Sequence, residues 1–279
     1  MLVQFPRHRL YDIQRVEAND AVMGLLAGSK LAESVLRLTE GSSHRLAELF
    51  PKVPHVNRLN LKTEHATHIL STAENHLGGL AIPYMLSIHE DYMAGLCEML
   101  DAEGKKGHVK LKDVGPVNMH EWVEHACGSN FNAETLELFH LLRLTRNAQI
   151  HNGGRVHRAL AAYMTKDLSA HARTIWERVA GIAFPTYSLD EELALSVFQL
   201  VGTFAISKRL AEEANDIVHM ALSRETWLKI CIDDWADFGK SGNPSQRLRH
   251  AKGFARMTYG SLSFTENEIT EELVIRGLI

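Results

Sequence analysis

The sequence predicts an all-α fold, an up-down helical bundle with additional helices at its N- and C-terminal sides. Three observations carry this. Leu and Ala recur throughout while aromatic residues make up only 7%, a mixture that favours helices. Apolar residues return at three- and four-residue spacing over long stretches, as one helix face requires. Gly and Pro collect between those stretches, and neither a persuasive strand alternation nor an internal repeat interrupts the pattern.

The chain has 279 residues, 45% apolar and 23% charged, enough to bury a sizeable core. We expect three segments: an N-terminal helix and connecting stretch over residues 1–60, a bundle over 61–222 and a helical appendage over 223–279. The formal net charge of -4 excludes a global basic field, so any nucleic-acid contact must use a local patch. Cys97, Cys127 and Cys231 are far apart, with no C-x-x-C pairing, and read as buried, reduced thiols. No run approaches the roughly 18 apolar residues that span a bilayer. The opening MLVQFPRHRL does not read as a secretory signal, so a cytoplasmic protein without membrane contact is expected.

Taken in order, residues 13–38 show helical spacing, followed by a connection carrying Pro51 and Pro54. Residues 63–103 form a long helical pattern that Gly78, Gly79 and Pro83 should kink or split. A basic loop follows, with Lys105, Lys106, Lys110 and Lys112. Asn118 with Glu121 predicts a capping box for a short helix through Cys127, and Asn132 predicts the cap of a helix over residues 133–150 that Gly153 and Gly154 stop. A further helix is expected over 156–179, then an irregular connection containing Pro185. Ser188 with Glu191 predicts the start of a long helix ending near residue 222. Two or three short helices complete the chain, the last capped by Thr265 and Glu268.

The helix of residues 133–150 is the informative one. Leu136, Phe139, Arg143, Arg146 and Ile150 share one stripe, while Leu138, Leu141, Leu144 and Ala148 make the other side apolar too. Two arginines thus occupy a helix expected to be enclosed by protein for much of its length. Asn147 and His151 are four apart and can hydrogen-bond, with Arg143 one turn further back. Arg146 and His151 are five apart, about 140° around a regular helix. Their side chains therefore converge only if the helix ends before His151, or if they act from two copies of the helix across a dimer axis.

The run Arg146-Asn147-Ala148-Gln149-Ile150-His151, followed by Asn152-Gly153-Gly154, resembles the RX4-6H motif of the HEPN family. Arg146 and His151 match the family's invariant pair, and Asn147 matches the polar residue common after the Arg. The resemblance covers the expected bundle of residues 61–222 and implies a HEPN-type bundle. It also implies a metal-independent endoribonuclease, usually a homodimer, with RNA as substrate and no cofactor or metal. Toxin–antitoxin and phage-defence systems use such proteins, so an antitoxin or other regulatory partner is a further expectation.

The chemistry implied has a physical rationale. A ribose 2′-hydroxyl attacking its own phosphodiester needs a base and a fixed cation. Histidine suits the first role, its ordinary pKa of about 6.5 lying near cellular pH; this assigns His151. Arginine suits the second, since its guanidinium stays charged and forks two hydrogen bonds to phosphate; this assigns Arg146. Asn147 would orient the imidazole or the phosphate. Arg143 and Asn152 are candidate substrate contacts, although Arg143 lies outside the motif and could equally pair with a buried carboxylate.

Other readings of the same residues stand beside this one. Arg and His near a helix C-terminus also neutralise the macrodipole and cap its carbonyls. Noncatalytic HEPN proteins that bind RNA or nucleotides, or act as scaffolds, form the principal alternative to the nuclease, and a metal hydrolase in the bundle core is a third class. His120-Glu121-Trp122-Val123-Glu124-His125 places its histidines five apart, one too many for H-E-x-x-H, and reads as a surface amphipathic helix. His65, His68 and His76 offer metal-ligand types, but among 16 histidines such neighbours are expected by chance. Gly239-Lys240-Ser241 lacks both the first glycine and the preceding strand of a phosphate loop. For RNA phosphates, two basic regions are candidates: the loop of Lys105 and Lys106, and the run from Lys240 through Arg247, Arg249, Lys252 and Arg256, which also carries Phe254 and Tyr259.

Overall fold

The computed structural model describes residues 2–59, 61–239 and 241–279. It is an all-α helical bundle, and among the described residues there is no strand, only two isolated bridge pairs. The helices are α1 (Pro6–Arg37), α2 (Leu46–Leu49), α3 (Val56–Leu59), α4 (Thr63–Ser71), α5 (Ala73–Ala102), α6 (Met119–Cys127), α7 (Ala133–His151), α8 (Arg158–Ala162), α9 (Ala170–Ala180), α10 (Val197–Ala221), α11 (Arg224–Asp237), α12 (Pro244–Thr258) and α13 (Glu266–Ile275). No described helix is long and apolar enough to cross a membrane.

The helices distribute over two compact units, each assembled from stretches far apart in sequence. The first comprises Met1–Gln14, Leu86–Arg143 and Ile206–Ile279. Its core is aromatic: Trp122, Phe139, Tyr11, Tyr92, Trp227 and Phe5 are almost wholly buried. The amide of buried Asn215 imitates a strand partner, accepting from Val3 N at 2.9 Å and donating to Val3 O at 2.9 Å. Arg9 forks onto Asp234 at 2.7 and 2.8 Å, and Tyr259 donates to the same carboxylate at 2.8 Å.

The second unit comprises Arg15–Met85 and Leu144–Ala205. Trp176 anchors its core, with Phe184 edge-on at 4.9 Å and Gly202 so close that a Cβ there would meet the indole at 2.5 Å. Residues 154–156 pair with 190–193 through the backbone: Val156 N donates to Glu191 O, Asp190 N to Val156 O and Leu193 N to Gly154 O.

Local chemistry explains several boundaries. Asn132 caps α7 through Thr135 N, and α9, α11 and α13 start on Ser169, Ser223 and Thr265, each accepting from the backbone three residues on. Thr265 and Glu268 form the expected reciprocal box.

Four expectations are corrected. The long pattern of residues 63–103 breaks at Thr72, whose hydroxyl bonds the carbonyls of His68 and Ile69, while α5 runs through Gly78, Gly79 and Pro83. These two glycines are sites of close packing: a Cβ on Gly78 would lie 2.4 Å from Leu195 O, and one on Gly79 would lie 2.8 Å from Gln149 Nε2. Asn118 does not cap α6 with its side chain; its Oδ1 accepts from Gly115 N at 2.8 Å and fastens the preceding turn. The expected helix of residues 156–179 divides into α8, a π-helical turn (Tyr163–Asp167) and α9, because Leu168 is extended and Ser169 starts a new helix. Glu191 does accept from Ser188 N, yet α10 begins only at Val197, since residues 190–193 are taken up in backbone pairing with 154–156. The working start is Ser196 with Gln199, whose Oε1 accepts from Ser196 N at 2.9 Å.

Candidate functional site

The motif closes α7. Ala148 O accepts from both Asn152 N (3.0 Å) and Gly154 N (3.2 Å), and Gly153 and Gly154 adopt φ of +61° and +77°, the left-handed stop anticipated for this Asn-Gly-Gly. The Asn152 amide donates to Arg155 O at 2.8 Å, so this side chain is engaged in the turn. Arg155 continues the fastening through a bridge to Glu192 and a bond to Asp190 O.

The helix remains regular through His151, which disposes of the idea that it ends earlier to let Arg146 and His151 converge. On a continuous helix these side chains point about 140° apart. Arg146 and Asn147 are half-buried, and Arg146 Nη1 reaches Asn147 Oδ1 at 3.5 Å. His151 is exposed, as is Ile150 at 51% of its full area. No hydrogen bond joins Asn147 to His151 among the described residues. Enclosure of α7 is therefore confined to its earlier turns, where Leu138, Phe139, Leu141 and Leu142 are buried, and to single positions such as Ala148.

The other expected contacts fall elsewhere. Arg143 is half-buried and belongs to the first unit, whereas Arg146, Asn147, His151 and Asn152 belong to the second. Lys105 and Lys106 follow α5 in the first unit, with Lys106 Nζ paired to Asp101 Oδ1 at 2.7 Å. Arg247 donates to Leu278 O at 3.1 Å, which ties α12 to the segment after α13. Arg249 is exposed on α12, where neighbouring Lys252 is ion-paired with Glu266. Lys240 lies outside the described residues.

The histidine run lies on an amphipathic α6, with His125 exposed and His120 on the buried face. His120 is wholly buried, and its Nε2 lies 2.9 Å from Nε2 of His89, with the rings stacked and Phe139 against both. Burial pushes the His89 pKa down to about 3, and burial with neighbouring His89 and His140 holds that of His120 well below the ordinary value. Met119, Trp122 and Val123 are buried beside it, an apolar context that was the available signal. Cys97 and Cys231 are buried thiols raised to about 12 by burial, while Cys127 is half-buried and raised to about 11. Among the described residues no three His, Cys, Asp or Glu side chains converge as a metal site would require.

No family model, curated protein or solved structure matches the chain. The likeness to the HEPN family thus rests on the residues of α7 and its stop.

Beside that stop the second unit holds a cavity of about 630 Å3, lined by Gln149, Gly153 and Gly154 from the motif region, by His68, Thr72, Asn75 and His76 around the α4–α5 junction, and by residues 192–195. In the sequence His68 and His76 stand out only as metal-ligand types, and Gln149 carries no signal of its own. Their common position follows from the break at Thr72 and from the backbone pairing after α7, whose partners are more than thirty positions apart.

Proposed function

We propose that the chain is a metal-independent endoribonuclease of HEPN type that acts as a homodimer. The observation that carries this reading is the placement of Arg146, Asn147 and His151 in the last turns of an unbroken α7 that ends in the Asn-Gly-Gly stop. One helix cannot aim Arg146 and His151 at the same phosphodiester, so the composite site uses Arg146 of one copy with His151 of another. His151 removes the proton from a ribose 2′-hydroxyl. The oxygen attacks the adjacent phosphorus, the bond to the 5′ oxygen breaks, and that oxygen collects a proton from water. Arg146 holds the phosphate oxygens as charge builds on them, and Asn147, in contact with Arg146, fixes the guanidinium.

The reading is tested by incubating structured and single-stranded RNA in EDTA with wild type, Arg146→Ala and His151→Ala, each checked to be folded. Cleavage by wild type and loss in both variants supports it. RNA binding without cleavage by any of the three overturns it in favour of a noncatalytic RNA-binding or scaffold protein. That second reading is favoured by the Asn152 amide being spent on its own turn.

A further inference from the structure

The cavity beside the α7 stop has features of a base-reading pocket. Gln149 is half-buried and its amide lies close to two glycines: a Cβ on Gly79 would lie 2.8 Å from its Nε2, and one on Gly154 would lie 3.3 Å from its Oε1. Its amide makes no hydrogen bond among the described residues and lies close to the Gly79 and Gly154 backbone. A primary amide with both its donor and its acceptor unspent is the group that reads an adenine edge, donating to N7 and accepting from N6. Glu192 is the one carboxylate among the described residues of the wall and adds an acceptor for an exocyclic amine, while it disfavours a carbonyl or a phosphate in the same place. His68 and His76 supply ring faces on which a splayed-out base can stack. The volume of about 630 Å3 lies within the range of small-ligand sites.

We propose that this cavity binds an unstacked adenine base of single-stranded RNA, with Gln149 as the residue that selects it. The assignment deepens the ribonuclease reading and rests on it for the identity of the substrate, because Gln149 stands three residues beyond Arg146 on the same side of α7. A base held there is adjacent to the phosphodiester that Arg146 would grip.

The test is equilibrium binding of adenosine and uridine monophosphates to the full chain by calorimetry or NMR titration, which does not depend on cleavage. Wild type is expected to prefer the adenine nucleotide by about tenfold. Gln149→Leu removes both polar groups and Gln149→Glu removes the donor, so both lose the preference. Gly79→Ala displaces the amide and weakens it. Equal or absent binding of the two nucleotides by wild type overturns the proposal, as does a preference that survives in folded Gln149→Leu. If wild type cuts no RNA yet prefers adenine, the nuclease reading falls and the pocket stands; cleavage with no base preference has the reverse meaning.

Discussion

His89 and His120 meet Nε2 to Nε2 at 2.9 Å, so one ring donates the single proton between them and the other accepts it. Both rings are fully buried, and neither can gain a second proton without placing charge in the interior.

This fixes a pH dependence of stability. The folded pKa of His89 is depressed to about 3, and that of His120 is held well below 6.5. Below the unfolded value of about 6.5 the unfolded chain binds protons that the folded chain refuses, so stability is full above that pH and is lost as the pH falls toward the folded values. We expect a loss of about 1.4 kcal/mol per pH unit for each such proton. Denaturant unfolding at pH 7 and pH 5 measures it. The slope should flatten in the double variant His89→Phe/His120→Leu, and an unchanged slope there would sink the assignment.

The Arg9–Asp234–Tyr259 cluster makes a second expectation. Asp234 is 4% exposed and accepts two bonds from Arg9 and one from Tyr259. Asp234→Ala should cost about 3 kcal/mol, at the low end for a broken buried pair because Arg9 keeps partial access to water. Tyr259→Phe should cost about 1 kcal/mol. Unfolding curves for the two variants check the order, and a larger cost for Tyr259→Phe would contradict it.

Glycines of opposite surroundings should respond oppositely to alanine. Gly78→Ala drives a methyl against the Leu195 backbone, and Gly202→Ala drives one into the Trp176 ring. Each should destabilise by about 1–3 kcal/mol. Gly24 and Gly28 in α1 are open, and a methyl added at either would meet nothing within 4 Å. Alanine at either should stabilise by about 0.5–1 kcal/mol through helix propensity alone. Thermal melts of the four variants separate the classes.

If Arg146 and His151 act from different copies, two dead variants should rescue each other. Mixing Arg146→Ala with His151→Ala under exchange of subunits gives mixed dimers with one intact composite site. Roughly a quarter of wild-type cleavage should return at equal amounts. No recovery, with exchange demonstrated, would place both groups in one chain and contradict the geometry of an unbroken α7.

How legible the sequence was depended on the range of the signal. The caps at Asn132 and Thr265 and the Gly153–Gly154 stop were readable because each is a contact between residues at most six apart. The pairing of Ser188 with Glu191 imitated a helix start, and the true start at Ser196 with Gln199 carried the same chemistry a few residues later. What distinguishes the two is the backbone demand of residues 154–156, which lie more than thirty positions away. The contact of His120 with His89 left no local trace because the two are 31 positions apart. The candidate site was visible as a motif, but its relation to His68, His76 and Gln149 depends on contacts between segments that the sequence does not juxtapose.

The bonds joining Val3 to Asn215 and Arg9 to Asp234 bridge 212 and 225 positions. During synthesis, Val3 and Arg9 must therefore wait without their final partners until α10 and α11 have been made. Every segment of the second unit precedes Ile206, whereas the first draws on residues through Ile279. The threading of the chain thus sets the order in which the parts are supplied: the segments bearing Arg146 and His151 are complete first, and those around Asp234 last.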